Sequence, residues 1–311
     1  MYLRVPSAVQ IGFITKHGVY RSITICMFRI FWPRVAFGAA AILYAMSAFA
    51  ATGTIVVENT GTFEYASDEN GLAITFENAN THTRSRYRQR PFDECSAMSM
   101  YRVRGTAQVA IDGSCPSRGG EVFVHVYEWN TRVQDWCLIR QITGERSDVP
   151  SGDYAGSREV ARVMNCPKIG SDGSYSYEST EDVKKDIDGE LAALKDAEKD
   201  KARLDRYLTQ MPFYLPLEIA GYVGKIDVQL ANDLGFFLAQ RGRASDAIPL
   251  LQKIVLMYPG RVVAKLNLAD ALWESGQQAP ARTQYSEYVS QMQNDDKRDR
   301  IPHRAFERSR Q

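Results

Sequence analysis

Two periodicities divide the chain. Between residues 52 and 166 apolar and polar side chains alternate with period two, and from residue 180 onward apolar residues return at helical spacing. The first region reads as short strands. Residues 54–58 form a β-branched run, and the runs 63–66 and 72–77 flank Asn70-Gly71, a strong hairpin-turn signal. Tyr101, Val103, Ala107, Val109 and Ile111 alternate with Arg102, Arg104, Thr106 and Gln108, which predicts one half-exposed strand over 101–111. Residues 121–129 differ, because Val122, Val124 and Val126 line one face while Phe123, His125, Tyr127 and Trp129 line the other, so this strand is expected at the centre of its sheet. Residues 136–142 and 159–165 bring the expected total to six or seven strands. The prediction is a small antiparallel sandwich or open barrel over 51–166.

Residues 167–179, rich in Gly, Ser and Tyr, read as a linker. Ser179, with Asp182 three residues on, then offers a helix cap in a capping-box arrangement. A highly charged helix is expected over 180–210, with Val183, Ile187, Leu191, Leu194, Leu204 and Leu208 on one narrow stripe that charged residues interrupt at 195–203. A single buried seam is the simpler use of that stripe, and a coiled-coil dimer seam the sharper alternative. Pro212 and Pro216 stop the helix, and 217–222 is a short apolar connection.

From residue 228 to 295 the chain repeats itself at an interval of 34 residues. Leu238, Gly242, Ala247 and Leu251 return as Leu272, Gly276, Ala281 and Tyr285. With Leu234, Gly235 and the closing Pro259, this interval resembles the tetratricopeptide repeat, two antiparallel helices meeting across a small Gly-containing turn. The second copy departs from the pattern, with Leu268-Ala269 for Leu-Gly and no closing Pro. The resemblance implies two repeats, 228–261 and 262–295, within an all-α domain over 180–293 that binds a protein or peptide partner. A third copy is not found upstream, where Phe213 falls on the small-residue position. Two copies cannot bury their apolar faces alone, so residues 180–222 are expected to cap them, or the β region to receive them. Residues 294–311, dense in Arg and Asp, read as a mostly disordered tail with room for a short terminal helix.

The fold class is therefore α+β in two domains, β then α. Ahead of them, Arg29 and Arg34 precede an uncharged apolar run over 35–50 that ends Ala48-Phe49-Ala50, the pattern of a secretory signal peptide cut after Ala50. Met27 is an alternative start that would leave residues 1–26 outside the protein. The run is shorter than the roughly 20 residues a bilayer span needs, so no stable membrane span is expected after cleavage. The lack of an Asn-x-Ser/Thr site after Ala50 fits bacterial export to the periplasm.

Composition adds limits. With 311 residues, 44% hydrophobic and 24% charged, the chain is of ordinary globular type, neither disordered nor fibrous. Five of the 38 basic residues lie in the leader (Arg4, Lys16, Arg21, Arg29, Arg34), which leaves 33 against 37 acidic residues in the mature chain and a net charge near −4. That balance argues against nucleic acid as a partner. Cys95, Cys115, Cys137 and Cys166 remain after the leader, and four cysteines in an exported chain read as two disulfides of open pairing. Their spacings of 20, 22 and 29 residues do not suit zinc.

Catalytic motifs are missing. No G-x-S-x-G, phosphate-binding glycine loop or H-E-x-x-H occurs, and nothing in the sequence asks for a cofactor. His125, among aromatics in a central strand, reads as a structural histidine. Two contact surfaces are expected instead. Arg84, Arg86, Arg88 and Arg90 alternate with Ser85, Tyr87 and Gln89, so an extended segment shows four guanidinium groups on one face, suited either to an anionic partner or to protecting a sheet edge. By comparison with the repeat family, the first helices would present Gln229, Asn232, Phe236 and Gln240, then Val263, Leu266, Asp270 and Trp273. Phe236 and Trp273 are the aromatic anchor candidates, unless a capping helix covers them. Lys265 and Asn267 find no matching residues in the first copy, so a carboxylate clamp is not implied.

The expected function is a non-catalytic binding or adaptor protein of the periplasm. The alternatives are an inhibitor or immunity protein that blocks a toxin or lytic enzyme through the arginine row, and an enzyme whose site assembles from distant residues such as His125.

Overall fold

A computed structural model of the chain describes residues 10–14, 20–24, 52–92, 97–115, 121–145 and 158–310. Residues 1–47 form a unit of their own, in which β1 (Gln10–Ile14) and β2 (Tyr20–Thr24) pair antiparallel. The rest of the expected leader and its cut after Ala50 lie outside the described residues. No helix among the described residues is long and apolar enough to cross a membrane.

The second unit begins with two antiparallel meanders. The first runs β3 (Thr52–Val57), β4 (Gly61–Asp68), β5 (Gly71–Asn78) and β6 (Arg84–Gln89) in chain order. The second runs β7 (Ala97–Arg102), β8 (Val109–Cys115), β9 (Glu121–Asn130), β10 (Asp135–Glu145) and β11 (Arg158–Arg162), with β9 in the middle. The Asn70-Gly71 turn forms as expected, closed by the Asn70 amide donating to Asp68 Oδ1 at 2.8 Å.

Residues 101–111 are a hairpin and not one strand. Val103 and Gln108 close its turn, and Gly105 takes a φ of +78° with its Cα against the end of a later helix, where a Cβ would meet the Thr209 carbonyl oxygen at 2.6 Å. The alternation read across the turn does not follow one face: Tyr101 and Val103 turn toward the helices, whereas Val109 and Ile111 turn toward the other sheet, so a spacing that stayed regular along the chain hid the reversal.

The two sheets face each other. Phe63, Leu72, Ile74 and Phe76 meet Met100, Ile111, Tyr127, Trp136 and Leu138, and the fully buried Trp136 ring lies 4.8 Å from Phe63 and 5.5 Å from Phe76 between centroids. The opposite face of the five-stranded sheet is also buried. Ala110, Val124, Val126 and Ile142 join one continuous core with the helices, which is why β9 is apolar on both sides.

The segment 167–179 is packed on the sandwich. Cys137 and Cys166 form a disulfide, the Leu138 amide donates to the Pro167 carbonyl at 2.8 Å, and Ile169 is buried. Gly170 lies against the Arg88 carbonyl and covers part of the β6 edge.

The stretch expected as one helix over 180–210 is two. α1 (Thr180–Ala197), capped by Ser179 as predicted, ends where the charged interruption begins. α2 (Lys201–Gln210) starts afresh with Asp200 accepting from the Arg203 amide at 2.8 Å, and folds back so that Tyr207 donates to the Glu190 carbonyl at 3.0 Å. All six stripe residues are buried in the chain's own core, so the stripe is the single buried seam.

The fully buried α3 (Tyr214–Ala220) leads to the two helix pairs, α4 (Val228–Gln240) with α5 (Ala244–Met257) and α6 (Val262–Glu274) with α7 (Gln278–Asn294). The echoed Gly242 and Gly276 have φ of +71° and +83° just past α4 and α6, the left-handed closure that ends a helix without strain. Arg243, beside the first of them, is buried and donates to the Leu208 and Met211 carbonyls, which ties the first pair to the end of α2. The tail is ordered up to residue 310. A 3-10 turn at Arg298–Arg300 and α8 (His303–Arg308) follow, with Ile301 and Ala305 buried among the helices.

Candidate protein-binding surface

Asp227 caps α4, accepting from the Gln229 and Leu230 amides at 2.8 and 3.2 Å, and so fixes which face of the helix turns inward. Gln229, Phe236 and Gln240 are on the exposed side, with Phe236 38% exposed. Gln229 donates to Asp233, at 2.7 and 2.9 Å, and accepts from Arg261. Asn232 belongs elsewhere. It is 1% exposed and accepts a 3.2 Å hydrogen bond from Asn267, a polar link between α4 and α6 inside the core.

On the second pair Val263 is exposed and Leu266 is half-buried against the core. Asp270 is held from three sides. Arg304 donates to it at 3.0 and 2.7 Å through Nε and Nη2, Tyr285 donates its hydroxyl at 2.6 Å, and Arg308 reaches it at 3.5 Å. The Arg308 guanidinium also lies 4.8 Å from the Trp273 ring centroid, a stacking distance for a cation on indole. The family-based face is thus split, open on α4 and covered by α8 at Asp270 and Trp273. Sequence reading missed the cover because six helical residues among many charges look unstructured. The signal present was Ile301 and Ala305 one turn apart, with Arg304 and Arg308 four apart.

A second cluster joins sheet and helices. Arg162, ending β11, donates to Glu218 on α3 through Nε and Nη2 at 2.8 and 3.0 Å, and through Nη1 to Asp186 at 2.6 Å and Glu178 at 3.2 Å. Arg140 of β10 brings Nε to 3.1 Å from the same Glu218 carboxylate, whose side chain is fully buried. Burial alone would lower the Arg162 pKa, but the Glu218 hydrogen bonds and charge, helped by Asp186 and Glu178, outweigh it and raise it. A cleft of about 560 Å3 borders the cluster, with Lys185, Tyr207 and Gln210 at its walls. Every carboxylate on Arg162 neutralises it, so the arrangement clamps layers together. Glu218 was hidden because 217–222 read as a merely apolar connection.

His125 is buried and its pKa is pushed down to about 4 by that burial. Its ring contacts Tyr127 Oη at 3.3 Å and the Gln141 amide nitrogen at 3.1 Å, and Phe92 meets it edge-on at 4.4 Å. A donor at Gln141 makes Nε2 the acceptor and Nδ1 the protonated nitrogen. His125 borders neither that cleft nor a shallower one on the tail between Asp296 and Arg310. Among the described residues no three His, Cys, Asp or Glu side chains gather as metal ligands.

The arginine row is exposed on edge strand β6 as the alternation predicted, with Ser85, Tyr87 and Gln89 turned less outward. Arg84 pairs with Glu77 at 2.7 Å, Arg88 with Asp68, and Arg90 with Asp172 at 3.1 Å. The Arg88 hydrogen bond holds the Asp68 carboxyl below the usual range. Arg86 makes no ion pair among the described residues. Of the cysteines, Cys137 and Cys166 are joined, while Cys95 and the Cys115 side chain lie outside the described residues.

A family model, the tetratricopeptide repeat, matches residues 238–298, from the end of α4 to the start of the 3-10 turn. No curated protein and no solved structure matches the chain. The match points to protein–protein interaction as the role of the helical region.

Proposed function

We propose that this chain is an exported, non-catalytic adaptor of the periplasm that takes a protein or peptide partner on the open face of α4. The observation that carries the reading is Phe236, an aromatic side chain left 38% exposed between Gln229 and Gln240 on a helix whose other faces are fixed in the common core. A rigid aromatic beside adaptable amides is the composition of a contact centre, giving area at small entropic cost. The repeat-family match over 238–298 supports it. The buried, neutral setting of His125 supports a role without acid–base chemistry at that residue.

The inhibitor reading has less support, because three of the four arginines already hold carboxylates of the same chain. The experiment is capture of partners from the periplasmic fraction by the mature chain, with Phe236→Ala and Arg86→Glu run in parallel. Loss of the captured protein with Phe236→Ala alone is expected. Loss with Arg86→Glu and retention with Phe236→Ala would replace the adaptor reading by the inhibitor one.

A further inference from the structure

The covered half of the repeat face carries its own chemistry. Asp270, Trp273 and Glu274 lie within one and a half turns of α6, and Tyr285 of α7 closes the group from the side. Arg304 and Arg308, four residues apart on α8, fill it. Arg304 makes a two-point contact with the Asp270 carboxylate, and Arg308 lies over the indole and 3.7 Å from Glu274. A carboxylate beside an aromatic plane fits guanidinium better than ammonium, because only the planar fork can both bond in two places and stack.

What holds α8 there is slight. A helix of six residues has no stability of its own in water. It buries Ala305 and packs Phe306 partly buried on the core, with Ile301 buried just ahead of it; the tether over residues 295–300 is exposed at every residue, and the Arg304 side chain is itself 46% exposed. Occupancy therefore depends on the two arginine contacts, a small apolar anchor and the high local concentration that a short tether gives.

We propose that Asp270, Trp273, Glu274 and Tyr285 form a binding cradle for a helical protein segment bearing two arginines one turn apart, and that α8 is its exchangeable occupant within the chain. The proposal extends the adaptor reading to a second contact whose partner chemistry is defined. An incoming segment must displace α8, so its apparent affinity is reduced by the fraction of chains in which the cradle is free.

The probe is a fluorescent peptide with the sequence of residues 297–311, titrated against the full-length chain. Arg304→Glu/Arg308→Glu removes the internal occupant and is expected to bind the peptide at least about tenfold more tightly than the wild type. Adding Asp270→Asn should abolish that gain. A peptide with Lys in place of both arginines should bind about tenfold more weakly. Equal binding by wild type and the double variant, or by the Arg and Lys peptides, overturns the proposal. If the double variant does not fold, amide exchange in the wild type decides. Amides of 303–308 should exchange at least about a hundredfold faster than those of α6 and α7, and exchange only with global unfolding would make α8 a fixed part of the fold. No outside partner enters these measurements. Their failure leaves the α4 reading standing, and a failed capture on Phe236 leaves the cradle standing.

Discussion

Glu218→Gln should loosen the sheet and the helices together. The carboxylate is fully buried, takes two hydrogen bonds from Arg162 at 2.8 and 3.0 Å, and lies 3.1 Å from Arg140 Nε. The amide keeps the shape and removes the charge, which leaves Arg140 without its carboxylate and Arg162 with Asp186 and Glu178 on Nη1 only. Breaking one side of a buried ion pair costs about 3–5 kcal/mol, and the surviving Asp186 contact places this case near the lower end, at about 3 kcal/mol. For a chain of this size that corresponds to a fall in Tm of about 6–12 °C. The assay is thermal unfolding followed by far-ultraviolet circular dichroism for the helices and by tryptophan fluorescence in a Trp32→Phe/Trp273→Phe background, where Trp129 and Trp136 report on the sandwich. Both signals should shift by the same amount, because Val124, Val126 and Ile142 share one core with α1 to α7. A shift below about 2 °C, or a helix transition that moves while the tryptophan transition stays, would refute the reasoning.

Three further outcomes follow from the same geometry. Non-reducing peptide mapping should find Cys137 joined to Cys166, and Cys137→Ser/Cys166→Ser should cost about 3–4 kcal/mol for a sequence separation of 29 residues, with an unchanged midpoint counting against the bridge. His125 has a pKa of about 4 in the fold against about 6.5 unfolded, so the unfolded chain binds more protons between those values. Its stability contribution is complete above about pH 6.5 and is lost as pH falls toward 4, by about 2 kcal/mol at pH 5, and Tm plotted against pH should be flatter in His125→Gln than in the wild type. Gly105→Ala should destabilise by about 2–3 kcal/mol through its positive φ and the Thr209 carbonyl, and a Tm equal to the wild type would show that the turn stands clear of α2.

What could be read from the sequence was whatever depends on neighbours along the chain. Period-two runs placed most strands, the two apolar faces of 121–129 put β9 at the centre, Ser179 and Asp182 marked the start of α1, and the spaced glycines marked the repeat turns. What could not be read depends on partners far apart. Arg162 and Glu218 are 56 positions apart and look like ordinary surface charges until β11 and α3 meet. Arg304 and Asp270 are 34 apart, and the tail that carries Arg304 has the composition of a disordered segment. The break at 198–200 and the hairpin at Gly105 are intermediate cases. Each had a local signal, a charged interruption and a lone glycine, that a continuing periodicity outweighed.

The shortage of repeats explains how the surface is divided. A helix pair in a solenoid needs an apolar neighbour on each side, and two pairs in series leave two such sides to be covered. At the first side α1, α2 and α3 supply the cover, bound to the repeats through Arg243 on the α2 carbonyls and to the sheet through Arg162 on Glu218. At the other side the described cover is the short α8, six residues in which Ala305 is buried and Phe306 partly buried, with Ile301 buried just ahead of it. One end of the array is thus anchored by a sandwich and the other by a short helix held through arginine contacts. On the proposed readings, a contact on Phe236 meets a surface already exposed, whereas a contact on Asp270 and Trp273 must first exchange α8. The two aromatic anchor candidates that look equivalent in the sequence therefore differ in the structure, Phe236 exposed on α4 and Trp273 under Arg308 of α8, and the asymmetry of the caps is the cause.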